Sequence, residues 1–158
     1  MACIGFLFLL RVLILDTRPT PFAYSRFDGT TVSGVEQPLQ INFANQLILM
    51  GVEWPENPLP ADSPLPLILF WRPQNPPTAD YSVSLKLLDE GGNLFGQSDS
   101  QHPGRIPTSR WRLDQYALDD HQITLLPGTP PGQYKVVVTV YQVGGAGLSV
   151  LDANQAPA

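Results

Sequence analysis

Residues 106–141 read IPTSRWRLDQYALDDHQITLLPGTPPGQYKVVVTVY, and this stretch decides the fold. It opens with a Trp-containing loop and runs into a strand with Leu118, Ile123 and Leu125 as core candidates. A Pro/Gly turn (PGTPPG, residues 127–132) follows. Then Tyr134, Val136, Val138 and Val140 recur at every second position, which puts them on one face of a strand. Loop, strand, turn and alternating strand is the pattern of an antiparallel β-structure.

The same pattern extends outward on both sides. Leu39, Ile41 and Phe43 alternate with Gln40 and Asn42. Residues 46–54 (QLILMGVEW) predict a second strand, bent at Gly51. Residues 55–64 carry Pro55, Pro58, Pro60 and Pro64, so they predict an irregular surface crossing. Residues 65–71 (LPLILFW) form a strand candidate with Pro66 near its start, where no ladder bond is needed. Tyr81, Val83, Leu85 and Leu87 share one face, and Ser82, Ser84 and Lys86 the other. Gly91, Gly92 and Asn93 suit a tight hairpin turn, with residues 94–99 as the return strand. Residues 101–112 are the long loop, and residues 148–151 a short last strand. The expectation is an all-β domain, an antiparallel immunoglobulin-like β-sandwich of about seven or eight strands. No internal repeat points to a propeller or solenoid.

Composition agrees with one domain. The chain has 158 residues, long enough for a real core. Its 43% hydrophobic content is globular, and its 17 Pro and 13 Gly favour turns over helices. A net charge of −5 argues against a nucleic-acid partner, which needs clustered Lys and Arg. The local basic group, Arg105, Arg110 and Arg112, reads as a solvated loop. One cysteine, Cys3, permits no intrachain disulfide and argues against a thiolate metal site.

The chain divides into an apolar N-terminal segment (1–16), a linker (17–38), the β-domain (39–152) and a tail (153–158). Residues 3–15 (CIGFLFLLRVLIL) are apolar apart from Arg11. As a helix they rise roughly 20 Å, short of the ~30 Å hydrocarbon core. They also lack a basic leader and a small-x-small cleavage site. Three readings stand: the tail of a membrane helix that starts upstream, a divergent export signal, or a first strand with Leu13 and Leu15 on one face. The first leads, and it gives a membrane association through residues 3–15.

The order of these elements carries a resemblance. Asn42, Phe43, Gln46, Leu47, Leu49 and Gly51 form an N-F-x-x-Q-L-x-L-x-G strand. After the Pro-rich crossing come LFW ending at Trp71, DYSVSLKLLDEGGNLFGQSDS, IPTSRW and LLPGTPPGQYKVVVTVY. Over residues 39–151 the chain resembles a β-sandwich domain that follows the last membrane helix of large bacterial membrane proteins. Those proteins are similar to glycosyltransferases of the dolichyl-phosphate-mannose-protein mannosyltransferase type. The PTS-x-W and PPG-x-Y elements are its most specific parts. The resemblance implies an extracytoplasmic accessory domain without catalytic residues, because the transferase chemistry would sit in membrane regions outside this sequence.

Few residues suggest a site. His102 and His121 are the two histidines. Asp119 and His121 would share a strand face, but a metal there needs a third ligand from elsewhere, and a solvated strand start is the plainer reading. Ser100, His102 and Asp99 lack the glycines of a nucleophile elbow. The pairs Asp89–Glu90 and Asp119–Asp120 are the carboxylates available for glycoside hydrolysis. Asp89, Glu90 and Asn93 do not have EF-hand spacing and read as a hairpin turn. Trp54, Trp71, Trp111, Tyr81, Tyr116 and Tyr141 are the aromatics that could stack on a sugar, with Trp71 assigned to the core, Trp54 open either way, and Trp111 read as a ring buried to pin the long loop ahead of a ligand platform. Tyr134 after Pro131-Gly132 reads as a tyrosine whose hydroxyl ties down a turn.

The functional expectation is a non-catalytic accessory or interaction domain of a bacterial cell-envelope protein. It would use a sheet face or the 101–112 loop to hold a protein or glycan partner, without a cofactor. The alternative is a carbohydrate-binding module using Trp111 and Trp54, with Arg110 and Arg112 beside them.

Overall fold

Alternating apolar residues between Pro- and Gly-rich turns produce a chain of antiparallel strands. A computed structural model describes residues 24–26, 37–55, 59–60, 63–152 and 154–157. Among them are nine strands: β1 (Tyr24–Arg26), β2 (Gln37–Phe43), β3 (Leu47–Glu53), β4 (Leu65–Pro73), β5 (Tyr81–Leu88), β6 (Leu94–Ser100), β7 (Gln115–Leu125), β8 (Lys135–Gln142) and β9 (Val150–Leu151). The only helical elements described are two short 3-10 turns in the long loop, Pro103–Arg105 and Thr108–Arg110. The all-β antiparallel class expected from the sequence is therefore observed.

The strands form one continuous curled sheet, ordered β8-β5-β6-β7-β4-β3-β2-β9. Strand β7 is the hinge of this arrangement. Along one edge it pairs with β4 from Ala117 to Ile123. Along the other edge it meets β1 at residues 115–117 and β6 only at Thr124 and Leu125. Two rungs thus join the β8-β5-β6 half to the rest, and the sheet curls there so that both halves face a common core. That core takes Leu47, Leu49, Leu67, Leu69 and Trp71 from one half, and Val83, Leu85, Leu87 and Val140 from the other. Phe43 meets Trp71 edge-on, with ring centres 5.5 Å apart. A smaller apolar cluster of Ile48, Met50, Phe70 and Tyr116 lies on the opposite face of β3, β4 and β7.

Local chemistry explains the turns. The register of β3 against β4 shifts between Leu49 and Gly51, so the bend expected at Gly51 is a bulge. In the β5–β6 hairpin only Gly92 takes a positive φ, +81°. Asp89 does the rest by accepting the Asn93 backbone and side-chain N–H groups, each at 2.8 Å. These bonds hold the Asp89 carboxyl below the usual carboxylate range. The β2–β3 turn contains no glycine, yet Ala44 and Asn45 both have positive φ. Asn42 supports it by accepting the Asn45 N–H at 2.9 Å.

The linker assigned to residues 17–38 contains β1 and the start of β2. The apolar segment 1–16, with Cys3, lies outside the described residues. Ser82 and Ser84, on the face of β5 opposite Tyr81, Val83, Leu85 and Leu87, are buried as well. Ser82 donates to the carbonyl of Gln101, so the long loop covers this side of β5. The tail is not wholly loose, because Leu151 bridges to Pro157.

Candidate functional site

The candidate binding residues fall at opposite ends of the sheet. Trp111 lies in the loop before β7, near the end of β4 marked by the Trp71–Ala117 pair. Trp54 follows β3, near the end marked by Leu65–Ile123. The stretch of β4 from Leu65 to Trp71 separates them by about 20 Å. They cannot bind one small ligand together.

The Trp111 end is built as an anchor. Thr108 is fully buried, and its Oγ1 accepts the Tyr81 N–H at 2.8 Å while donating to the Ala79 carbonyl at 2.9 Å. The Ser109 N–H donates to Asp80 at 3.0 Å. Hydrogen bonds from Ser109 hold the Asp80 carboxyl below its ordinary range, with smaller help from His102 and Arg110. The 3-10 turn then closes with the Trp111 N–H donating to Thr108 O at 3.0 Å. This delivers the Trp111 ring into the main core with Trp71, Tyr81 and Ala117, where the residue is 6% exposed. Of the two readings of Trp111, the buried loop pin fits this placement and the stacking platform does not. Arg110 and Arg112 stay on the surface. Arg112 pairs with Asp114 through two bonds, at 3.0 and 3.2 Å. Neither arginine lines the groove described next.

The Trp54 end is open. Trp54 is 40% exposed and borders a groove of about 600 Å³. Leu65 comes from one half of the sheet, Leu87 and Val136 from the other, and Leu125 from the shared strand. Pro130, Pro131 and Tyr134 form a rim. The Tyr134 hydroxyl donates to the Pro130 carbonyl, as the turn-tying role predicts. Its ring stands edge-on to Phe95 with centres 5.2 Å apart. The lining is mainly apolar, with Ser63 and Thr129 among its few polar side chains. Leu59, which also lines the groove, is exposed.

A third arrangement lies inside the core. Asp119 and His121 do share a face of β7, but they are not solvated: they are 3% and 2% exposed. The Asp119 carboxylate lies 2.8 Å from His121 Nε2. His121 Nδ1 lies 3.0 Å from the hydroxyl of Ser98 on β6. An ionised carboxylate only accepts, so Nε2 carries a hydrogen toward Asp119, and Nδ1 meets the Ser98 hydroxyl, which can donate or accept. Sequence spacing finds the Asp–His half of this group, but Ser98 is brought in by the register of two strands. Among the described residues no three His, Cys, Asp or Glu side chains converge on a metal-sized site. Trp71 is core, as assigned, and Tyr81 and Tyr116 are buried. Among the described residues no helix is long and apolar enough to cross a membrane.

Comparison with protein-family models, with curated proteins and with solved structures finds no match for this chain.

Proposed function

We propose that this chain is a non-catalytic interaction domain that holds an apolar segment of a protein partner in the Trp54 groove. The groove itself carries this reading: about 600 Å³, apolar, and flanked by a half-exposed tryptophan. Ligand sites are concave and mainly apolar, with a few polar groups for orientation. Exposed tryptophan next to apolar side chains is also the composition of binding hot spots. Prolines on both rims restrict the backbone, which lowers the ordering cost of binding.

Carbohydrate binding is the second reading, and one observation favours it: a tryptophan that is 40% exposed, Trp54, lines the groove. It now stands without Trp111, which is in the core. Sugars also need several hydrogen bonds, and the lining supplies few.

The finer fold reading, an immunoglobulin-like sandwich, is supported by the two halves of the sheet packing on one core. The placement outside the cytoplasm, in a cell envelope and beside a membrane glycosyltransferase, rests on the sequence resemblance. Membrane association through residues 3–15 rests on their apolar composition.

The test is titration of the full chain with apolar peptides and with cell-wall oligosaccharides, followed by tryptophan fluorescence. Peptide binding that Trp54→Ala removes is the expected result. Oligosaccharide binding with the same sensitivity would favour the second reading. A hydrolase or transferase activity abolished by a point mutation would overturn both.

A further inference from the structure

We propose that Ser98, His121 and Asp119 form a side-chain clasp that closes the split between β6 and β7. These strands share backbone pairs only at Gly96–Leu125 and Gln97–Thr124. Beyond them, no described strand pairs with residues 118–123 on that edge of β7. Backbone pairing therefore stops where the curled sheet must hold its two halves together. The Ser98–His121 bond, 3.0 Å long, crosses the split at this place. Asp119 holds the imidazole from the other side at 2.8 Å.

The register explains why the bond points inward. Ser98 lies opposite Leu85, His121 opposite Leu67, and Asp119 opposite Leu69. Directly paired residues share a face, so all three lie on the core side beside buried leucines, Asp119 and His121 buried and Ser98 half-buried. Buried polar groups are costly unless their bonds are made, and here each completes the next. The arrangement is consequently specific: a slip of one residue between β6 and β7 would turn Ser98 and His121 to different faces and break their bond, while the Asp119–His121 bond, made within β7, would remain.

The same residue types perform acyl transfer when a serine hydroxyl meets a substrate. Here Ile123 is fully buried between His121 and Leu125, the groove-lining residue on the same face of β7. It is packed so tightly on β6 that a Cβ added at Gly96 would lie 2.8 Å from its Cγ2. The groove and the clasp are thus separated by packed core, and the clasp holds structure.

The test uses hydrogen–deuterium exchange and thermal unfolding of the full chain carrying Ser98→Ala, Asp119→Asn or His121→Gln. Amides of residues 98–100 and 118–123 should exchange about tenfold faster or more. Tm should fall by about 5 °C or more. Amides of β3 should keep their rates, and Ser98→Thr, which retains a hydroxyl, should restore protection. Trp54→Ala should leave every one of these readings unchanged, so a failed groove and a failed clasp are distinguishable. If His121→Gln does not fold, Ser98→Ala still decides, because it removes a single hydroxyl. Unchanged exchange and Tm in Ser98→Ala would overturn the clasp. So would labelling of Ser98 by a fluorophosphonate that depends on His121, which would make the serine a nucleophile.

Discussion

Trp111 and Trp54 occupy opposite ends of β4, and their environments could hardly differ more. Trp111 is preceded by Thr108 and Ser109, whose hydrogen bonds tie the loop to the start of β5. Its ring is in the core. Trp54 is followed by proline, has no such tether among the described residues, and keeps 40% of its surface in water. Both are tryptophans at loop–strand junctions; the sequence leans to a loop pin at Trp111 and leaves Trp54 open either way. The difference teaches that hydrogen-bonding neighbours decide whether a loop aromatic is an anchor or a contact. Thr108 supplies the buried hydroxyl that draws the Trp111 loop inward, whereas Pro55 brings no N–H to an anchor.

The largest expected effect tests the anchor. Trp111→Ala should destabilise the protein by about 3–5 kcal/mol, the usual cost of removing a large buried aromatic. Calorimetric unfolding measures it, and a loss under about 1 kcal/mol would mean that the ring is not part of the core. Thr108→Val comes next. It keeps the volume but leaves the Tyr81 amide without its acceptor, at an expected cost of about 1–3 kcal/mol by urea unfolding.

Trp54→Ala should change stability by no more than about 0.5 kcal/mol, as at other exposed positions. It should nevertheless remove ligand binding at the groove. A large stability loss there would erase the contrast between the two ends.

The smallest effect belongs to pH. Asp80 has its folded pKa depressed by bonds from Ser109. The stabilisation is therefore present above its unfolded pKa and is lost as pH falls through the folded value. Asp80→Asn should flatten that part of the acid limb, and an NMR titration of the Asp80 carboxyl should show the depressed midpoint. An Asp80 midpoint at the ordinary carboxylate value would mean that Ser109 does not hold this loop in solution.

Strand positions were largely legible because alternation is a local property. Tyr81, Val83, Leu85 and Leu87 announce their face, and β5 buries it. The bulge at Gly51 and the turn at Gly92 were also local. Strand β1 escaped because Tyr24–Arg26 is short and sits among prolines and glycines that mask any periodicity. The burial of Ser82 escaped because its partner Gln101 lies in a loop that follows β6. Of the site candidates, Tyr134 was legible from Pro131-Gly132 before it. Trp111 was legible as a loop pin, whereas Trp54 stayed open between core and contact.

The sequence by itself determined an all-β antiparallel chain, its turns and most of its core positions, since each depends on residues close in the chain. Only the tertiary structure decided that the strands form one curled sheet. It also decided that a groove opens beside Trp54, and that Ser98 meets His121. The reason is physical. Period-two patterning says which way a side chain points from its strand, but not which strand lies opposite. The groove and the clasp are made by residues from distant strands, and strand order and register bring them together.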